Sequence, residues 1–412
     1  MLRKHVVIVG GGWAGMALAR KLKKIPKENI RVTLVSDNPN FRYSAALYRV
    51  ATGYREKDAI IPIADLTKNI DNLKYVKAKV NHINRSKKTI TLEGGQVLHY
   101  DYAVLALGNI TNYFGIPGIK ELSYGIKTTR ELHHFKTHLH QELISDNTPD
   151  KNYVVVGAGP TGVELSAALA SYLKQIVKRH GLRKKSINIE LVEASPRVLP
   201  LSNPKASKKA LDRLRSLGIK VHLKAKVEAE TSESLNYNGK SIPTHTVVWT
   251  AGTANNPFFK ANNTQFALNE RGKVIVDDHL RVDHYTYVIG DNAATPYSGL
   301  GLTAVHNAKY VANDIARKLD GQMRTPFYRL LVPATVVPVG SKWAVFQYRK
   351  LIIGGYTGGF IRFMADLAAY HDIAGWRMGT MYWLRSSSKE EKCHTCKLSI
   401  KEEGWITQAS YQ

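Results

Sequence analysis

Two segments of the chain, VVIVGGGWAGMALARKL at 6–22 and YVVVGAGPTGVELSAAL at 153–169, share one pattern. In each, a run of apolar and β-branched residues leads into a turn with glycines at the same three positions, and a segment rich in small residues follows. The run predicts a buried parallel strand, and the small residues predict a helix. In such a unit the first glycine permits a tight turn, the second lets the backbone approach a pyrophosphate, and the third lets the helix pack on the strand. The sequence therefore predicts two dinucleotide sites, one on Gly10, Gly12 and Gly15 and one on Gly157, Gly159 and Gly162.

An acidic residue follows the second strand of each unit, which matters because a lone glycine turn can also form without a ligand. RVTLVSD at 31–37 ends with Asp37, and Glu193 stands at the end of the strand within INIELVEASPRVLP at 187–200. A carboxylate at this position hydrogen-bonds the ribose hydroxyls of the adenosine and repels a 2′-phosphate. The second site is therefore expected to prefer NADH over NADPH.

The composition limits the class of protein. The chain has 412 residues, of which 44% are hydrophobic, enough for two or three domains. It has no run of about 18 consecutive apolar residues, so no segment is expected to span a membrane. Its two cysteines, Cys393 and Cys396, exclude a disulfide framework and favour a cytoplasmic protein. They form a CxxC motif to which we assign no function. Zinc binding would need a second chain, so no metal site is expected.

The net charge of +26 is extreme and attracts polyanions. The basic residues form scattered clusters, such as those at 21–27 and 177–186, without interleaved aromatic residues or a nucleic-acid-binding module. A solvated basic surface and attraction to an anionic membrane surface are the two interpretations that remain. A nucleic-acid partner is not expected.

A third segment, YTYVIGDNAA at 285–294, reads as a short apolar strand that ends in Gly-Asp. With it the sequence resembles the two-dinucleotide-binding flavoproteins of the pyridine nucleotide-disulfide oxidoreductase superfamily. YDYAVLALGN at 100–109 and THTVVWTAGT at 244–253 are similar to the connecting strands of those proteins. The resemblance implies that FAD binds the first glycine turn and Asp291, and that NADH binds the second turn and Glu193. The further cofactor-binding residues that it implies are Trp13, Ala14, Arg42, Tyr43, Val80, Ala106, Gly108, Pro160, Thr161 and Gly252.

Within the superfamily, disulfide reductases carry a redox-active cysteine pair just after the first unit. Here that stretch, FRYSAALYRVATG at 41–53, has no cysteine and is similar to type II NADH:quinone oxidoreductases, which are single-subunit, non-proton-pumping, peripheral membrane flavoenzymes. PTGVELSAALA at 160–170 and LALGNITNYFGIPG at 105–118 also resemble that family. Glu164 matches a family glutamate near the nicotinamide and the flavin. It is a candidate catalytic residue that relays protons or holds a water, unless it is only an acid favoured by the helix dipole.

The acceptor side departs from the family. Where the family carries Ala-Gln and then Gln-Gln, this chain has Gly301 and Leu302 and then His306 and Asn307. Pro333 stands about where a C-terminal lysine is usual. The acceptor is therefore a quinone, molecular oxygen or another compound. His306 is a candidate catalytic proton donor, and the alternative is a hydrogen-bonded histidine on the helix that caps the flavin.

The C-terminal region, from about residue 326, predicts short strands at 328–359 and then two helical pieces separated by Gly375. An apolar stripe with helical spacing runs through Phe360, Phe363, Met364, Leu367 and Tyr370. The second piece combines aromatic residues with Arg377 and Arg385, a composition that suits the lipid headgroup zone. Either these helices dock on an anionic membrane surface, or they are ordinary dimer or core helices.

We therefore expect an α/β protein with two Rossmann-like domains, the NADH domain inserted in the FAD domain, and a C-terminal membrane-docking region. The expected boundaries are 1–115 and 281–325 for FAD, 116–280 for NADH, and 326–412 for the C-terminal region. The expected activity is FAD-dependent NADH oxidation with a quinone as acceptor, at the cytoplasmic, inner face of the cell membrane. The rival is an NADH oxidase that uses oxygen, and a flavoprotein that binds nucleic acid or a partner is a third possibility. A homodimer is expected from the resemblance alone.

Overall fold

The computed structural model describes residues 3–144, 152–179, 187–322, 324, 326–392 and 399–402. Cys393 and Cys396 lie outside these residues. Within them the helices, in chain order, are α1 (Trp13–Leu22), α2 (Leu47–Ala51), α3 (Ile63–Thr67), α4 (Ile119–Leu122), α5 (Thr129–Ile144), α6 (Pro160–Arg179), α7 (Pro204–Ser216), α8 (Pro257–Ala261), α9 (Gly301–Leu319), α10 (Tyr356–Ala374) and α11 (Trp376–Arg385). Short 3₁₀ helices cover Ser44–Ala46, Glu56–Asp58 and Gly290–Asn292.

The strands, in chain order, are β1 (Lys4–Val9), β2 (Ile30–Ser36), β3 (Asn40–Arg42), β4 (Ile60–Pro62), β5 (Leu73–Lys77), β6 (Val80–Asn84), β7 (Thr89–Leu92), β8 (Val97–His99), β9 (Tyr102–Leu105), β10 (Asn109–Thr111), β11 (Asn152–Val156), β12 (Asn188–Val192), β13 (Lys220–His222), β14 (Val227–Glu230), β15 (Ser234–Tyr237), β16 (Lys240–Pro243), β17 (Thr246–Trp249), β18 (Thr253–Asn255), β19 (Arg281–Asp283), β20 (Thr286–Val288), β21 (Thr335–Pro338), β22 (Ala344–Tyr348), β23 (Leu351–Gly355), β24 (Lys389–Lys392) and β25 (Ser399–Glu402).

Two mainly parallel sheets organise the chain. The first has the order β19-β20-β9-β1-β2-β5, and the second has the order β13-β12-β11-β17. β1 pairs in parallel with β2 and β9, while β11 pairs in parallel with β12 and β17. The first sheet takes strands from both sides of the segment that forms the second. The predicted α/β fold, with the second nucleotide unit inserted in the first, is thereby confirmed.

The central strand of each sheet is buried on both faces, because helices pack on one face and a three-stranded antiparallel sheet packs on the other. Val6 to Val9 of β1 and all five residues of β11 are buried, as their apolar runs predict. α1 follows β1 and packs against α9, and α6 follows β11. The chain leaves the first sheet through β10 and returns to it through β18. These two strands pair in antiparallel fashion, with Ile110 opposite Ala254. This pairing positions the carboxyl ends of both sheets beside one another.

The C-terminal region forms the antiparallel sheet β21-β22-β23, followed by α10 and α11. The helices are separated at Gly375, whose φ of +75° favours glycine, and the predicted break is confirmed there. The residues of the predicted apolar stripe do not share one environment. Tyr370 is fully buried, whereas Phe360 and Met364 are exposed. Among the described helices, none is both long and apolar enough to cross a bilayer.

Candidate active site

In the first glycine turn, backbone atoms lie close to Gly10 and Gly15, whereas the space beside Gly12 is open. Gly10 has a φ of +112°, and a methyl group there would lie 2.1 Å from the carbonyl oxygen of Ala106. A methyl at Gly15 would lie 1.9 Å from the carbonyl oxygen of Gly10. A methyl at Gly12 would meet no protein atom within 4 Å. α1 begins directly after Gly12 without a side-chain cap, so its first N–H groups lie at this opening.

Aromatic packing fixes the start of α1. The Trp13 ring packs edge-on against Phe41 and Tyr43, with ring centroids 5.2 and 5.1 Å apart, and its N–H donates to the Ser44 hydroxyl at 3.3 Å. The Ala14 side chain lies 3.3 Å from the position that a Cβ of Gly290 would occupy. The turn before Asp291 is therefore held against α1.

Three further residues predicted for the first site, Asp37, Val80 and Arg42, differ in how far their side chains are buried. Asp37 is exposed directly after β2, at the carboxyl end of the sheet. Val80 begins β6 and is buried in the core. Arg42 donates to the carbonyl oxygen of Lys127 at 3.1 Å, and burial lowers the pKa of its guanidinium.

Asp291 lies in a cavity of about 480 Å³ between the Gly-Asp turn and the β10–β18 pair. The Asn109 side chain donates to its carboxylate. Burial raises the pKa of Asp291, and Lys273 and Lys127 oppose that shift. The cavity is lined by Asn109, Asn112, Thr253, Ala254, Asn255, Glu270, Arg271, Lys273, Asp291, Ser298 and Gly299.

Gly108, near this cavity, has a φ of +69° and exchanges two hydrogen bonds with Asn292. Its N–H donates to the Asn292 side chain at 3.0 Å, and that side chain donates to its carbonyl oxygen at 2.7 Å. Asn292, Lys127 and Lys273 were not identified from the sequence. Asn292 follows the Gly-Asp motif and could have been noticed, whereas the two lysines come from remote segments with no motif of their own.

The second glycine turn repeats the geometry of the first. Gly157 has a φ of +99°, and a methyl at Gly162 would lie 1.8 Å from its carbonyl oxygen. A methyl at Gly159 would meet no protein atom within 4 Å. Pro160 and Thr161 are exposed at the start of α6. Each turn thus leaves room for a ligand at its second glycine, and the residues present fit one dinucleotide at each.

Glu193 binds the second turn itself. Its carboxylate accepts the N–H of Ala158, between the first two glycines, at 2.6 Å and the N–H of Ser195 at 2.7 Å. A carboxylate can accept up to about four hydrogen bonds, so two backbone donors leave capacity for ribose hydroxyls. Gly252 has a φ of +76°, and a Cβ there would lie 2.4 Å from the ring of Phe114.

A buried polar cluster lies where α6 meets α2 and α10. We call it the Glu164 cluster, and it consists of Tyr43, Tyr48, Arg49, Glu164, Arg362 and Asp366. Burial raises the pKa of Glu164 to about 8, against the opposing charges of Arg362 and Arg49. Burial therefore favours the protonated form of this carboxyl, which is the form that a general acid requires.

Asp366 is the hydrogen-bonding centre of this cluster. It pairs with Arg49 at 2.5 Å and with Arg362, and it accepts the hydroxyl of Tyr43. Burial acts to raise the pKa of Asp366, but the two arginines hold it below its ordinary value. The sequence did not identify Arg49, Arg362 or Asp366 as site residues. The basic side chain that the C-terminal region supplies near Glu164 is Arg362, and Pro333 lies before β21.

His306 belongs to a different set of contacts. Its Nε2 lies 2.8 Å from the carbonyl oxygen of Arg329, and its ring packs against Tyr328 with centroids 5.3 Å apart. The next residue, Asn307, is fully buried and accepts the N–H of Gly290 at 3.1 Å. His306 therefore contacts the segment before β21, and Asn307 supports the Gly-Asp turn. Among the described residues, no group of three or more His, Cys, Asp or Glu side chains could hold a metal ion.

Comparison with known proteins identifies the family. A family model described as pyridine nucleotide-disulphide oxidoreductase matches residues 4–312, well over half of the chain. The chain belongs to this family. The type II NADH:quinone oxidoreductase of a Staphylococcus aureus strain is 28% identical over 397 residues, covering 90% of this chain and 96% of the relative.

Solved structures show the same fold. NDH2 from Plasmodium falciparum, in complex with NADH, has a TM-score of 0.83 at 17% identity and covers 93% of this chain and 97% of its own. The sulfide:quinone oxidoreductase from Aquifex aeolicus has a TM-score of 0.77 at 21% identity, with coverage of 90% and 92%. The resemblance stated from the sequence is confirmed. The chain is an oxidoreductase, and FAD and NADH, as predicted, are its cofactors.

Proposed function

We propose that this flavoprotein oxidises NADH and passes two electrons to a quinone at a membrane surface, without pumping protons. The observation that carries the proposal is the Glu164 cluster, because it joins the second nucleotide unit to α10. α10 presents buried polar residues to Glu164 and exposed apolar residues on its other side. A site built in this way can serve a water-soluble donor and a membrane-dissolved acceptor.

The FAD site is assigned to the first glycine turn with Asp37, Arg42 and Asp291, in a domain of residues 1–115 and 281–325. The NADH site is assigned to the second turn with Glu193, in a domain of residues 116–280. FAD, when bound, supplies the capacity to accept a hydride and to release two electrons to a second substrate. The protein supplies the orientation of both nucleotides and the charges around them.

Glu164 is assigned the transfer of a proton. Reduction of a quinone by NADH consumes one proton beyond the transferred hydride, so the site needs a donor that is protonated near pH 7. The raised pKa of Glu164 meets this requirement. His306, bonded to Arg329, is assigned to holding the segment before β21.

The region 326–412 is assigned to membrane docking at the inner face of the cell membrane. Tyr356 and Phe360 on α10 and Trp376 on α11 are 73%, 57% and 76% exposed, and such large exposed apolar groups are candidates for an interaction surface. Arg377 and Arg385 are exposed on the adjoining α11. Each basic residue near an anionic surface adds about 1 kcal/mol to binding. Dimerisation is carried over from the resemblance.

The acceptor is tested by measuring NADH oxidation and oxygen uptake by the FAD-loaded protein, first with NADH alone and then with a soluble quinone analogue. We expect slow oxygen uptake with NADH alone and a large stimulation of NADH oxidation by the quinone. Fast oxygen uptake without stimulation would instead identify an NADH oxidase. Negligible NADH turnover with steeply salt-dependent DNA binding would support the nucleic-acid-binding alternative.

A further inference from the structure

The two arginines of the Glu164 cluster form their ion pairs with Asp366. One carboxylate oxygen of Asp366 binds Arg49 at 2.5 Å, and the other binds Arg362. Arg362 also donates to the carbonyl oxygen of Ala45 at 2.9 Å. Within the described part of the chain, neither arginine forms an ion pair with Glu164, although both charges act on it.

We propose that Asp366 is a positioning residue for Glu164: it binds both buried guanidinium groups, so that the carboxyl of Glu164 remains protonated and able to donate. The inference rests on the proposed function, in which Glu164 delivers the proton. Asp366 acts through its neighbours and touches neither substrate in this assignment.

The charge balance of the cluster explains why one aspartate has this effect. The charges of Arg49 on α2 and of Arg362 and Asp366 on α10 act on Glu164, and the charge of Glu164 acts on Tyr48 of α2. With Asp366 ionised and Glu164 protonated, the two guanidinium groups leave a single surplus positive charge. Without Asp366, both positive charges would lie uncompensated beside Glu164. Because an isolated buried charge is costly, Glu164 would then ionise to replace the missing anion.

Proton transfer from Glu164 to the reduced quinone needs no other reactant than solvent. The O–H bond of Glu164 breaks, and its proton bonds to an oxygen of the quinone that has received the two electrons of NADH. Solvent then returns a proton to the carboxylate. A Glu164 that is already ionised at pH 7 cannot perform the first step, so loss of Asp366 removes the donor while Glu164 itself is still present.

The position of Asp366 gives the inference a structural consequence. Asp366 and Arg362 lie on the buried side of α10, and Phe360 and Met364 lie on its exposed side. The helix assigned to the membrane thus carries the anion that sets the protonation of the acid.

The test is an infrared titration of the FAD-loaded protein, in which the carbonyl stretch of a protonated carboxylic acid is followed against pH. Subtracting the spectrum of Glu164→Gln identifies the band of Glu164. In the unsubstituted protein we expect the band to disappear with a midpoint near pH 8. In Asp366→Asn we expect the midpoint to fall by about 1–3 pH units, the shift that an opposite charge produces at close range.

The chain offers a matched control in Asp314. This carboxylate is also buried, accepts a tyrosine hydroxyl from Tyr287 at 2.5 Å, and pairs with Arg281 at 3.0 Å and Lys318 at 3.6 Å. It joins β19 and β20 to α9 and is not a member of the Glu164 cluster. Asp314→Asn removes a comparable network, so it should lower stability without moving the Glu164 midpoint.

A second pair of variants covers the case in which Asp366→Asn does not fold. Arg362→Gln removes one positive charge and should raise the midpoint above that of the unsubstituted protein. Adding Asp366→Asn to Arg362→Gln should lower it again. An unchanged midpoint in folded Asp366→Asn, or in the double variant relative to Arg362→Gln, would overturn the inference. Because no acceptor is present in the titration, a failure of quinone stimulation would overturn the proposed function alone.

Discussion

At the scale of single residues, each glycine turn contains two kinds of glycine. Gly15 and Gly162 are required by the protein, because any Cβ there would overlap the carbonyl oxygen of the first glycine. Gly12 and Gly159 are not required in that sense, because a Cβ would enter open space. The sequence could assign these roles in advance because the motif concentrates them in six consecutive residues.

Two alanine substitutions in this turn should therefore change different quantities: one should weaken FAD binding, and the other should lower the free energy of unfolding. Gly12 has φ −82° and ψ −163°, which alanine adopts without strain, so Gly12→Ala should change the free energy of unfolding of the FAD-free protein by less than about 0.5 kcal/mol. Its methyl should weaken FAD binding by about 1–3 kcal/mol, the usual cost of an added group in a close contact. Gly15→Ala should lower the free energy of unfolding directly, since its methyl meets backbone.

Thermal unfolding of the FAD-free variants and fluorescence titration with FAD measure the two quantities separately. Gly159→Ala serves as the control, because it changes the second turn and should leave FAD affinity unchanged while weakening NADH. Unchanged FAD affinity in Gly12→Ala would show that the ligand does not lie on this turn.

At the scale of helices and strands, α10 shows where sequence reasoning reaches its limit. The spacing of Phe360, Phe363 and Met364 predicted the helix, and Gly375 predicted its end. The spacing could not reveal that Arg362 and Asp366 lie on the buried side together with Tyr370. An Arg-Asp pair four residues apart, such as Arg362 and Asp366, is usually a solvent-exposed helix pair. Its burial depends on Tyr43 and Arg49, which lie more than 300 residues away in sequence.

If the exposed side of α10 is made polar, we expect membrane binding to weaken. The double variant Phe360→Asp/Met364→Asp should bind anionic lipid vesicles at least about tenfold less tightly, since burying one such side chain contributes about 1.5–3 kcal/mol. Because Phe360 is 57% and Met364 40% exposed, the free energy of unfolding should change little. Co-sedimentation with vesicles measures binding, and denaturant unfolding measures stability.

The double variant Val97→Asp/Leu122→Asp is the matched control, because it adds the same two negative charges. Val97 on β8 and Leu122 on α4 are 48% and 42% exposed and lie outside the C-terminal region, so this control should keep most of the vesicle binding. Equal losses in both double variants would mean that vesicle binding follows net charge and not the α10 surface.

At the scale of the whole molecule, three parts of the chain meet at Glu164. α6 supplies Glu164 from the second nucleotide unit, α2 supplies Arg49 from the first, and α10 supplies Arg362 and Asp366 from the C-terminal region. The fold places these elements together because β10 and β18 hold the two sheets side by side. No local sequence pattern encodes that meeting, which is why the nucleotide sites and Glu164 were predicted from motifs, whereas Arg49, Arg362 and Asp366 were not.

The net charge of +26 predicts how the whole molecule distinguishes lipid surfaces. Attraction of exposed basic residues to anionic lipid falls within a Debye length, which shortens from about 8 Å at 0.15 M salt to about 3 Å at 1 M. Burial of the α10 side chains is far less sensitive to salt. Binding to anionic vesicles should therefore weaken at least about tenfold over this range, whereas weaker binding to zwitterionic vesicles should change little. The Phe360→Asp/Met364→Asp variant should keep the salt dependence and lose the salt-insensitive remainder. Salt-independent binding to both kinds of vesicle would assign the positive charge to a solvated surface with no part in membrane docking.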